Sequence, residues 1–173
     1  MTTITHKNEI EATRIGGFGG SDAAMFYRIG LKGLSALTNS DKKRIRVAKG
    51  IDEYKPIFVN EAMQRGHDFE DWYAENAAMS SLVRERKFTR KMARHFDTFF
   101  HSDFSNDKII YELKCVNDTE NVEDRYFQQL QWQHMIAPSG MEVYLEVFDS
   151  AKEFDIENLQ EPTLIERAEM VIE

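Results

Sequence analysis

The sequence predicts an α/β fold of the α+β kind, with a central mixed β-sheet flanked by helices, on three observations. Helical and strand-like patterns follow one another in the order helix, strands, helix, strand, helix. The 173 residues, 42% apolar and 30% charged, suit one domain over 1–173 with a buried core. Three prolines, no internal repeat and no low-complexity linker leave no mark of a domain boundary.

Along the chain, Gly16-Gly17-Phe18-Gly19-Gly20 reads as a tight turn, with Ser21 as the N-cap of a short helix over 22–27. Residues 28–58 are expected to hold short helical pieces and a basic loop. Residues 59–79 read as a long helix, in which Ala62, Gly66, Phe69 and Tyr73, with Trp72 beside them, give one buried face. Strands follow over 82–88, 94–104 and 109–115, and the polar tetrad 105–108 closes the last two into a hairpin. Residues 117–136 form a second long helix with Val122, Tyr126 and Leu130 on one stripe. A strand over 141–148 and a terminal helix over 163–172 complete the chain.

Composition narrows the function. Mean hydropathy is −0.54, and no apolar run nears the roughly 20 residues of a membrane span, so no membrane partner is expected. The first residues lack the basic and apolar regions of a signal peptide. Cys115 is the single cysteine, which excludes an internal disulfide and a multi-cysteine metal site and suits a reducing, cytoplasmic location. The formal net charge of −8 argues weakly against nucleic acid. It is unevenly spread, however. Arg84, Arg86, Lys87, Arg90, Lys91 and Arg94 crowd one segment, and Lys42, Lys43, Arg44, Arg46 and Lys49 another, while the tail 149–173 holds eight acids against two bases.

The hairpin concentrates the chemistry. Alternation along 109–115 puts Ile109, Tyr111, Leu113 and Cys115 on one apolar face, and Ile110, Glu112 and Lys114 on the other. Charges in a strand that reads as buried are costly unless paired or bound to something. Symmetric closure pairs Phe104 with Ile109 and Asp103 with Ile110, which brings Asp103 to the face of Glu112 and Lys114. Two carboxylates and a lysine suit a hard cation, Mg²⁺ or Mn²⁺, able to activate water beside a phosphodiester. A simple surface pair between Glu112 and Lys114 is the plainer alternative.

The order of these motifs resembles the PD-(D/E)xK nuclease core, with Asp103 followed by Glu112-Leu-Lys114. Within that group the chain resembles the lambda-exonuclease-like (YqaJ-type) viral recombination nucleases. The resemblance rests on Arg14-Ile-Gly-Gly-Phe-Gly-Gly-Ser21, Arg65-Gly-His-Asp-Phe-Glu70, His101-Ser-Asp103 and Tyr126-Phe-Gln-Gln-Leu-Gln131, across residues 14–148. Phe104 stands where that family has glycine.

The resemblance implies a restriction-endonuclease-like core in which Asp103, Glu112 and the Leu113 carbonyl hold the metal. Glu70 would hold the metal or its water. Lys114 would act on the attacking water, with Gln129 beside it; Gln131 is the alternative. Arg14 and Ser21 would bind a 5′-terminal phosphate, and Arg84, Arg86, Lys87, Arg90 and Lys91 the DNA backbone. The implied activity is a Mg²⁺-dependent phage or prophage 5′→3′ exonuclease acting on double-stranded DNA, leaving 3′ single strands for an annealing protein, in a homo-oligomer that is a trimer in the family. An endonuclease or nickase of the same core, and a non-catalytic acidic DNA mimic, are the other readings.

Overall fold

In the computed structural model, which describes residues 15–55, 59–93 and 96–167 and no side chain from 91 to 96, the alternating segment Ile109–Val116 (β6) is the middle strand of a five-stranded mixed sheet. Phe104–Ser105 (β5) pairs antiparallel on one side of it, and Glu142–Asp149 (β7) pairs parallel on the other. Val83–Arg84 (β2) and Thr163–Ile165 (β8) form the edges, both antiparallel to their neighbours. A parallel pair needs a crossover, and the helix Val122–Ile136 supplies it.

Gly17–Phe18 (β1), Lys87–Ala93 (β3) and Phe96–His101 (β4) build a second, three-stranded sheet, with β4 in the middle, parallel to β1 and antiparallel to β3. Gly17 is required there: a Cβ would lie 2.9 Å from the Asp97 carbonyl oxygen. The helices are Ala23–Lys32 (α1), Asn39–Ala48 (α2), Glu61–Asn76 (α3) and Val122–Ile136 (α4). The expected mixed α/β architecture is present, with two mixed sheets rather than one. Among the described residues, no helix is long and apolar enough to cross a membrane.

Both faces of β6 are covered. Ile110 and Val116 join a core with Leu130 and Trp132 of α4, Phe18, Phe88, Phe100 and Val143. Leu113 joins a second core with Phe69 and Tyr73 of α3, Phe104 and Phe148. Each such large apolar side chain contributes about 1.5–3 kcal/mol. This double burial is why Glu112, on the strand between them, has almost no exposure.

Several expectations are corrected. The hairpin register is displaced by two: Phe104 pairs with Tyr111 and Ser105 with Ile110. Because side chains alternate with period two, a displacement of two keeps the paired residues on their expected faces, while Asp103 falls outside the pairing, in a bend before β5. The stretches 82–88 and 94–104 are each broken. Glu85 takes a left-handed φ of 56°, and the second break falls at Ser102 and Asp103. The breaks face each other through Glu85 N to Asp103 O (3.1 Å) and Ser102 N to Arg86 O (3.0 Å), so both chains change sheet at one level.

The expected helix over 163–172 is instead a strand at Thr163–Ile165, where the open edge of β7 offers a pairing partner; 168–172 lie outside the described residues. Ser21 is not a helix N-cap. It sits inside a 3₁₀ turn, Gly20–Asp22, and the Asp22 carboxylate accepts from Gly19 N (2.8 Å) and from Arg44. The basic stretch 42–48 is helical in α2, capped by Thr38, which accepts from Asp41 N at 3.1 Å. On α3 only Phe69 and Tyr73 of the expected face are buried, and Ala62 is exposed. Helix α4 begins at Val122, five positions later than expected, after Asn121 in a left-handed turn.

Candidate functional site

Glu112 is the centre of a polar cluster set between β6 and α4. It is 3% exposed. Its Oε1 accepts from Lys114 Nζ and from Gln129 Nε2 (2.5 Å), and its Oε2 accepts from Gln133 Nε2. Lys114 reaches it because residues two apart in a strand share a face. Gln129 and Gln133 reach it because residues four apart stack along a helix. The break at 102–103 lifts Asp103 out of the strand ladder, and its Oδ2 accepts from Leu113 N at 2.7 Å. Glu70 comes from α3, with Oε2 accepting from Arg84 Nη2 at 3.3 Å.

The electrostatics bind these groups together. Burial, and then the charges of Glu112 and Glu70, push the Asp103 carboxyl well above its ordinary range, while Lys114 opposes the shift. Burial alone would lower the Lys114 pKa, but the charges of Glu112 and Asp103 outweigh it and hold the ammonium protonated. Burial also raises Glu70, against the pull of Arg84, His67 and Lys114. Glu112 and Asp103 thus act on the Lys114 ammonium, while Glu70 is paired with Arg84.

The donor types, carboxylates with the Leu113 carbonyl, are those of a hard divalent cation. The arrangement is closed by Lys114, Gln129 and Gln133 on Glu112, and among the described residues no group of three or more His, Cys, Asp or Glu is arranged to hold a metal.

The other expected residues are placed as follows. Ser21 is exposed in the glycine turn, which approaches the cluster at Gly20: a Cβ there would lie 3.5 Å from Gln129 Cγ. Arg14 lies outside the described residues. Arg84 is engaged by Glu70 and by Asp71 (2.5 Å). Arg86 donates to Asp107 Oδ1 (2.9 Å) and Asn106 O (3.2 Å). Lys87 Nζ lies 5.4 Å from the centre of the Phe99 ring, and Arg90 donates to Met135 O at 2.5 Å. Lys91 is in β3, and its side chain lies outside the described residues.

Gln131 donates to Glu166 O (3.0 Å), so Gln129 is the glutamine of the cluster. Sequence reasoning does not single out Gln133. Its signal is its place four residues after Gln129 on the stripe of Tyr126 and Leu130. A second buried acid, Glu146, is likewise absent from the sequence-based expectations. It is 2% exposed beneath α3, raised by burial, with Tyr73 as its hydrogen-bond partner.

No family model matches the chain, and no curated protein matches its sequence. Among solved structures the chain is similar to the crystal structure of SSO0001, with a TM-score of 0.53 and 12% identity over 88% of this chain and 68% of that one. At that identity the likeness is one of fold: mixed sheets flanked by helices.

Proposed function

We propose that the chain is a Mg²⁺-dependent DNA nuclease with a restriction-endonuclease-like PD-(D/E)xK core, acting 5′→3′ on duplex ends and leaving 3′ single strands. The observation that carries this reading is the convergence on Glu112. Lys114 and Gln129 bond to it, Asp103 feels its charge, and Glu70 in turn acts on Asp103 and Lys114, from four separate stretches of chain. A structural salt bridge between Glu112 and Lys114 needs neither a second and third carboxylate nor the strand break that aims Asp103 at the same place.

In this reading Asp103, Glu112 and the Leu113 carbonyl hold Mg²⁺, with Glu70 on its water. The ion supplies charge neutralisation at a phosphoryl oxygen and a bound water of lowered pKa. Lys114, held protonated, donates to the charge that develops on the phosphate. Gln129 and Gln133 fix the rotamer of Glu112. Ser21, in the turn that meets Gln129, and Arg14, as the family resemblance implies, take the 5′-phosphate. An annealing protein and a second copy of the chain are the partners this activity calls for.

The test is digestion of linear duplex DNA, with 5′-phosphate or 5′-hydroxyl ends, and of a covalently closed circle, with and without Mg²⁺. Metal-dependent loss of the linear phosphorylated substrate, sparing of the circle, and inactivity of Lys114→Ala are expected. Wild-type protein that leaves every substrate intact in Mg²⁺ and in Mn²⁺ overturns the reading. Cutting of the circle moves the activity to an endonuclease of the same core.

A further inference from the structure

Outside the carboxylate cluster, Arg86, Lys87, Arg90, Pro138, Ser139 and Arg167 help line a cavity of about 530 Å³. It lies between β3 and the end of α4. Four of its lining residues are cations and none is an acid, in a chain whose net charge is −8. Lys87, Arg90 and Arg167 have no carboxylate partner among the described residues, and the Asp107 that Arg86 meets has a side chain 93% exposed, so that pair is worth little. Arg90 and Arg167 donate to the Met135 and His134 carbonyls in the last turn of α4. Those bonds anchor each guanidinium while using only part of its five donors.

The groove therefore presents the forked donors of three arginines to an anion with several oxygens, the recognition chemistry of phosphate. Its volume is that of a small-ligand cleft, into which a flexible single strand can bend its backbone, whereas a stiff duplex offers only its outward phosphates. Helix α4 ties it to the cluster. Gln129 and Gln133 touch Glu112, and Ile136, in the groove lining, is about 10 Å further along the axis from Gln129.

We propose that this groove binds the sugar–phosphate backbone of single-stranded DNA, as a second binding surface separate from the carboxylate cluster. The choice of DNA among polyanions rests on the nuclease reading above.

The test is fluorescence anisotropy of labelled oligodeoxynucleotides, single-stranded and duplex of equal length, titrated with the full chain in EDTA over a range of salt. Single strands should bind more tightly than duplex. Arg86→Ala with Lys87→Ala should weaken single-strand binding about tenfold and flatten the log–log salt slope by about 0.7 for each phosphate that is no longer neutralised. Lys42→Ala with Lys43→Ala, exposed on α2, should leave it unchanged, and thermal melts of both variants should match wild type.

Duplex bound as tightly as single strand, a groove variant that binds like wild type, or an equal loss in the α2 variant overturns the proposal. Groove-dependent binding by a chain that cuts no DNA supports the groove and removes the nuclease reading. Metal-dependent cutting without groove-dependent binding does the reverse.

Discussion

Replacing Lys114 by methionine tests whether charge holds the cluster together. Methionine keeps an unbranched apolar stem and removes the ammonium. Glu112 is 3% exposed, and the Lys114 side chain 18%. Without the ammonium, the charges of Glu112 and Asp103 repel with no Lys114 charge to offset them. Breaking a buried pair by deleting one partner costs about 3–5 kcal/mol.

Gln129 and Gln133 still donate to Glu112, which places the loss at the low end, about 3 kcal/mol. In a chain of 173 residues each kcal/mol moves Tm by about 2–4 °C, so the melt should fall by about 6–12 °C. Circular dichroism melts at neutral pH measure it. The deficit should shrink in acid, because the raised Asp103 carboxyl takes up a proton there. Adding Glu112→Gln to Lys114→Met should recover most of the loss. A single variant within about 2 °C of wild type, or a double variant no more stable than the single, refutes the electrostatic account.

Glu146→Gln should gain stability relative to wild type as pH rises from 5 to 8. Burial raises the Glu146 carboxyl, so the folded chain holds its proton to higher pH than the unfolded chain and loses stability as pH climbs above the ordinary 4.5. A difference flat with pH in urea titrations contradicts this. Phe148→Ala empties a 0% exposed site packed against Phe69, Trp72 and Phe154. It should cost about 3–5 kcal/mol by urea midpoint, and a cost below about 1 would show that the second core collapses onto the gap. Gly17→Ala places a methyl 2.9 Å from the Asp97 oxygen. A loss of about 1–3 kcal/mol with faster amide exchange on β1 is expected, and unchanged exchange would mean that the sheet yields without strain.

Much of the candidate site was legible because strand alternation is a local property. Glu112 and Lys114 share a face whatever else the chain does, whereas Asp103 reaches them from the break before β5, through its bond from Leu113 N rather than through the ladder. The glutamine stripe on α4 was half legible. The helix spacing groups Gln129 with Gln133, but nothing local says which helix face meets Glu112. The engagement of Arg84 by Glu70 and Asp71 was hidden, since it joins a helix to a strand 14 and 13 residues away.

What the sequence by itself determined is therefore short-range: the two long helices, the central strand, the hairpin and the side of the sheet on which the charges stand. These depend on periodicity and turn chemistry within a few residues. The tertiary structure alone decided where two strands leave one sheet for the other at Glu85 and Asp103, and that Thr163–Ile165 pairs as an edge strand. It also decided that Gln133 reaches Glu112 and that Arg167 joins Arg86, Lys87 and Arg90 around one groove. Each of those outcomes depends on a partner distant in the chain, whose backbone or charge becomes available only when the layers pack.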